Sequence, residues 1–195
     1  MLSQPLLLLT DPTHFEVTYT INPWMQPRAW AQDPVGRLAA ARRSFQSLSS
    51  ALTAAGARLE IMLGVAGLPD MVFPANSAVV LDRLALLARF RHFERRGEEE
   101  HFRERFRVLK EDLHIVDEVA QLPPNCFQEG AGDCIWDAVR GRFWAGYGQR
   151  WRWQVAAEIS AFFGRETTAL LLSVERRRNL LLPAGVFPRL ADCHP

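Results

Sequence analysis

Lysine is all but missing: Lys110 is the only one among 23 basic residues. The chain's cations are therefore planar arginine forks, suited to carboxylate partners; such a bias reads as codon usage rather than as a phosphate-binding surface. Cysteine is scarce too. Three residues, Cys126, Cys134 and Cys193, with no CxxC spacing exclude a zinc ribbon and a disulfide framework, and no metal or cofactor is expected. No long apolar run occurs. Pro5–Thr10 is far too short to span a bilayer, and no basic segment precedes it, so a reducing, cytoplasmic setting is expected. Surplus charge is also absent. With 23 basic against 22 acidic residues, a net +1 gives no field to recruit nucleic acid or an anionic membrane, so any partner is chosen by local chemistry. What is present is a globular composition: 195 residues, 48% hydrophobic and 10% aromatic, enough for one core.

Periodicity divides the chain into units. Leu6–Leu9 and Val17–Ile21 read as strands, and Asn22-Pro23 ends the second. From Pro34, apolar residues recur at helical spacing (Val35, Leu38, Phe45, Leu48, Leu52) until Gly56, and Leu59–Leu63 reads as a strand. Then a pattern appears twice. Ala78–Leu81 and Leu84–Arg89 form a hairpin about Asp82-Arg83, followed by a helix at Glu98–Leu109 and a strand at Leu113–Val116. Cys134–Trp136 and Arg142–Gly146 form a second hairpin, followed by a helix near Trp151–Phe163 and a strand at Thr168–Leu172. The Asp82 and Asp137 turns set a period of roughly 55 residues, that of a repeated strand-strand-helix-strand unit. With the first helix and strand as an incomplete earlier copy, about three units are expected. An array that stops there leaves an unpaired edge and can self-associate.

Polar clusters fall between the predicted elements, where a repeated scaffold presents them on one face. Asp70 and Asn76 precede the first hairpin; Arg95, Arg96 and Glu98 follow it. Glu129 and Asp133 precede the second, and Arg150 follows it. Carboxylates before each hairpin and arginines after it are compatible with loop capping or with a binding site.

Five ordered segments carry a resemblance: Phe15–Met25, Gly67–Asn76, Arg89–Glu98, Glu129–Asp133 and Ala145–Arg150. Over residues 6 to 175 the chain resembles the dimethylarginine dimethylaminohydrolase and amidinotransferase group of guanidino-modifying enzymes. The resemblance implies a pentein-type α/β propeller of five strand-strand-helix-strand blades, of which about three are present in a domain covering 1–175, with 176–195 an irregular or frameshifted tail. It implies that the substrate is arginine or a methylated derivative. Glu129 corresponds to a catalytic carboxylate and Asp70 to a guanidinium ligand; Arg95 or Arg96, together with Arg150, match the cations for the substrate carboxylate, and Asn76 and Asp133 complete the substrate site. Dimethylarginine hydrolases usually carry two acids where this chain has Ala75-Asn76. Asn76 accepts a hydrogen bond but supplies no charge, which points away from dimethylarginine itself.

In that group a cysteine thiolate attacks the guanidino carbon and a histidine acts as acid/base. The histidine segment is expected directly after Val174 and the cysteine near the end of a longer chain. Neither pattern follows Glu175, so a shifted reading frame there and an inactive chain are the expectation. Cys126 and Cys134 read as structural thiols, Cys193-His194 as an unsupported terminal pair, and His92 as the one histidine near a motif. A non-catalytic guanidino-ligand-binding remnant and a propeller-fold interaction protein are the alternatives.

Overall fold

The computed structural model describes residues 4–147 and 154–171. Its first unit pairs β1 (Leu6–Asp11) in parallel with β2 (Arg58–Leu63), Leu6 opposite Arg58 and Asp11 opposite Leu63. Between them lie a helical turn, α1 (Pro27–Trp30), and a long helix, α2 (Pro34–Ala54). Asp33 caps α2 by accepting from the Gly36 N–H, with Pro34 at the first helical position. None of the α2 side chains is buried.

The second unit opens with β3 (Ala78–Leu81) and β4 (Leu84–Leu87), joined by Asp82 and Arg83, both with left-handed φ (48° and 66°) as a two-residue hairpin turn demands. The short α3 (Phe93–Arg96) and the helix α4 (Glu98–Glu111) then lead to β5 (Glu118–Gln121), parallel to β4. The third unit repeats this order. Its β6 (Cys134–Asp137) is antiparallel to β7 (Arg142–Tyr147), and after α5 (Gln154–Phe163) the strand β8 (Glu166–Leu171) lies parallel to β7. Its turn is longer. The Asp137 carboxylate accepts from the Val139 and Arg140 amides, the Arg140 guanidinium and Trp144 Nε1.

Apolar strands reflect burial on both faces of these small sheets. On β4, Ala85 and Leu87 pack with Phe106 and Leu109 of α4, whereas Leu86 joins Val79 and Leu122 against Phe143, Ala145, Val155 and Ile159 of the third unit. Leu8 of β1 reaches the Phe106 cluster, and the Glu60–Arg105 ion pair joins β2 to α4. The units are thus welded by apolar contact.

Two expected strands are displaced. Val17–Ile21 is irregular: among the described residues no strand pairs with it, and the Asn22 side chain turns the chain by accepting from the Trp24 and Met25 amides. Leu113–Val116 instead closes the end of α4. Leu113 donates to the Val108 carbonyl, Ile115 and Val116 donate to that of Leu109, and His114 adopts φ 52°; buried Val116 covers the last turn, and the strand begins at Glu118. The third-unit strand starts at Glu166, two residues earlier than expected. The tail from 176 onward, Arg150, Cys193 and His194 lie outside the described residues.

Candidate functional site

Four segments bring charge to one place. Asp70 sits in the 3-10 turn Pro69–Val72 and Asn76 ends the turn Pro74–Asn76, both ahead of β3. Arg95 lies in α3, Glu98 opens α4, and Glu129 precedes the turn Gly130–Gly132 ahead of β6. Asp70, Arg95, Glu98 and Glu129 are all at least 95% buried. Ionised side chains at such depth require partners.

Arg95 is the hub. Its Nε and one terminal nitrogen donate to the two oxygens of Glu98 at 2.9 and 2.8 Å, a bidentate pair on adjacent turns. The same terminal nitrogen donates to the Asp70 carbonyl at 3.2 Å, the other lies 3.6 Å from Glu129 Oε2, and Nε is 3.9 Å from Asp70 Oδ2. The Phe90 ring covers the guanidinium at 4.3 Å. One cation thus faces three carboxylates, leaving the four side chains at a formal −2 when all are ionised. Burial raises the Asp70 pKa, and the neighbouring Glu129 charge adds to it against Arg95 and Tyr19. Burial likewise raises that of Glu98, against Arg95. For Arg95 itself burial opposes the charge, but Glu98, Glu129 and Asp70 outweigh it and its pKa is raised.

The cluster opens into a cavity of about 560 Å³. Asp70, Asn76, Arg95, Glu129 and His92 line one side; the irregular segment that includes Val17, Ile21, Trp24 and Met25 lines the other together with Trp30 of α1, with Arg37 of α2 beside it. Two glycines seat the loop that carries Glu129. Gly130 has φ 55°, and a side chain there would meet the Asn76 carbonyl carbon at 2.7 Å and the Ala78 nitrogen at 2.8 Å; one at Gly132 would strike the Asn76 amide. That amide instead donates to the Glu129 carbonyl at 3.1 Å.

Other expected residues sit differently. Asp133 does not line the cavity; it accepts from the Glu129 main-chain N–H at 3.1 Å and so braces that loop. Arg96 points away, its side chain exposed and donating to the Phe90 and Arg91 carbonyls. Cys134 is buried in the core, where burial pushes its thiol up to about 12. Glu98, named in the sequence only as part of the polar cluster after the first hairpin, is a site residue, and its place three residues after Arg95 is the available signal. Tyr19 and the aromatic wall were not singled out as site residues, although Phe15–Met25 is one of the segments that carry the resemblance, because the alternation of Val17–Ile21 reads as a strand rather than as a cavity wall.

The family described as "N,N dimethylarginine dimethylhydrolase, eukaryotic" matches residues 12–182. The chain belongs to this family. The match continues into the segment beyond Glu175. Among curated relatives, the bifunctional arginine dihydrolase/ornithine cyclodeaminase ArgZ of Synechocystis sp. is 33% identical over 89% of this chain and 23% of its own length. The N(G),N(G)-dimethylarginine dimethylaminohydrolase of Mycobacterium tuberculosis is 32% identical over 84% of this chain and 49% of its own. The chain spans about half the length of that relative and under a quarter of ArgZ.

Among solved structures, the N-terminal domain of ArgZ bound to product superposes with a TM-score of 0.73 at 30% identity, covering 88% of this chain and 59% of that one. A cysteine-to-alanine mutant of AgrE in complex with L-arginine gives 0.75 at 31%, covering 87% and 24%. A dimethylarginine dimethylaminohydrolase adduct gives 0.71 at 19%, a likeness of fold. The architecture is the pentein α/β propeller, and the described residues of this dimethylarginine hydrolase family member hold about three of its five blades.

Proposed function

We propose that the cavity binds the guanidino group of arginine or a close derivative, and that the protein acts in guanidino hydrolysis. One observation carries the reading: three buried carboxylates against a single arginine, two of them, Asp70 and Glu129, in the wall of a cavity. A guanidinium is a planar cation with a fork of donors, and it would offset the surplus charge at Asp70 and Glu129 with directional hydrogen bonds. The aliphatic and aromatic wall suits the substrate's methylene stem. Asn76 brings an amide where a second acid would favour further cationic contact, and the arginine dihydrolases among the relatives support arginine ahead of dimethylarginine. In the family's chemistry Glu129 would hold and polarise the guanidinium while a thiolate attacks its carbon. Cys134, with its raised pKa, is not that nucleophile, and the described residues supply recognition.

The test is calorimetric titration of the purified chain with L-arginine, asymmetric dimethylarginine and the neutral isostere L-citrulline. L-Arginine is expected to bind at least tenfold more tightly than citrulline, and Glu129→Gln to lose about tenfold or more, the scale of one charge-assisted hydrogen bond. Equal affinity for arginine and citrulline would sink the proposal. Turnover by the chain, measured as ammonia or methylamine release and lost in Cys134→Ser, would overturn the exclusion of that thiol.

A further inference from the structure

Tyr19 stands outside the cavity wall, although Val17 and Ile21 on either side of it in sequence are part of that wall. Its hydroxyl is shut away from solvent and approaches Asp70 without reaching ordinary hydrogen-bond geometry. Burial, followed by the Asp70 and Glu98 charges, keeps the phenol protonated, so toward a carboxylate it can only donate. Asp70 has a use for such a donor. The groups around it are Arg95 from α3, Glu98 from α4, Glu129 from the loop before β6 and the Tyr19 phenol, with His92 on the same cavity wall. Of these, Arg95 spends its short hydrogen bonds on Glu98 and on the Asp70 main-chain carbonyl, and it stands 3.9 Å from the Asp70 carboxylate.

We propose that Tyr19 is a positioning residue whose hydroxyl closes onto the Asp70 carboxylate and holds it toward the cavity for the cationic end of the ligand, an inference that rests on the guanidino-binding reading above. The irregular segment thereby serves two ends. Val17 and Ile21 wall the cavity, and the residue between them reaches past the wall to orient a carboxylate from another unit. An unoriented carboxylate would swing between Arg95 and the cavity and present its charge less well.

The chain has only two tyrosines, Tyr19 and Tyr147, so a tyrosine labelled with carbon-13 at Cζ gives two signals, assigned with Tyr147→Phe. On titration through the acid range, the Tyr19 signal is expected to move with the same midpoint as the Asp70 carboxyl carbon, and that step is expected to vanish in Asp70→Asn. In Tyr19→Phe the Asp70 midpoint should rise by about one unit, the worth of one hydrogen bond to a charged acceptor. The loss of L-arginine affinity should grow as the pH falls, which mere loosening of the segment would not produce. A flat Tyr19 signal, or an Asp70 midpoint unmoved in Tyr19→Phe, overturns the proposal. If Tyr19→Phe fails to fold, the wild-type protein and Asp70→Asn still decide it. Coupled titration without any arginine binding would uphold the Tyr19–Asp70 contact and overturn the guanidino reading instead.

Discussion

In the proposed site, Asp70 serves binding at a cost in stability. Its pKa and that of Glu98 are raised in the folded protein, chiefly by burial, so the folded state holds protons more tightly than the unfolded chain does. Their contribution to stability is therefore favourable at low pH and is lost as the pH rises from the ordinary carboxylate range through the raised values. Cation binding runs the other way, since an ionised Asp70 is the better ligand. Asp70→Asn is accordingly expected to raise the urea midpoint at pH 7 by the equivalent of ~0.5–2 kcal/mol while weakening L-arginine at least tenfold. A destabilised Asp70→Asn would argue that Arg95 needs all three carboxylates. Asp137 shows the opposite sign. Donation from Trp144, then from Arg140, holds its carboxyl well below the usual range, so its contribution is present at neutral pH and lost as the pH falls through the depressed value. Urea unfolding across the acid range should show a shallower acid limb in Asp137→Asn than in wild type.

At the level of elements, the loop between Glu129 and Asp133 is the joint on which the site depends. Gly130→Ala combines a left-handed φ with a clash against Asn76 and Ala78 main chain, and should cost more than ~1 kcal/mol in urea unfolding together with arginine affinity, because Glu129 is displaced. Phe143 offers a contrast. It is fully buried between Trp136 and Phe163, both rings 4.9 Å away, and Phe143→Ala should cost ~3–5 kcal/mol with the cage residues left in place. The same elements explain what could be read in advance. Both hairpins, the three long helices and the returning strands of the first and third units were legible because turn residues such as Asp82-Arg83 and periodic apolar faces act locally. Val17–Ile21 misled because its alternation has no strand to pair with, and Leu113–Val116 because an apolar run that caps a helix resembles one that enters a sheet. Within the site, loop position marked the polar clusters that hold Asp70, Asn76, Arg95 and Glu129 without separating loop capping from binding, and the family resemblance was what singled them out. Whether Arg95 or Arg96 turns inward depended on a contact with Glu98, Phe90 and Asp70 that only the assembled fold provides.

Across the molecule, apolar surface remains uncovered: α2 buries no side chain, and Ile61, Leu63, Leu170 and Leu171 on β2 and β8 are exposed. The chain is expected to associate with itself, by a sheet edge or by these faces, and sedimentation velocity should give a weight-average mass that rises with concentration. A monodisperse 22.2 kDa species throughout would contradict this. Among the described residues no helix is long and apolar enough to cross a membrane. The way the sheets close carries a further consequence, for biosynthesis. Each parallel pair joins residues of one unit, Leu6 with Arg58, Leu84 with Glu118 and Arg142 with Glu166, so a chain emerging from the ribosome can finish one sheet before the next is made. Asp70 then leaves the tunnel first and Arg95 soon after, with Glu98 close behind, and Glu129 comes last on its glycine-seated loop. The cation is in place before the final anion arrives, and the nascent chain never has to gather three buried carboxylates without the guanidinium that lets them share one site.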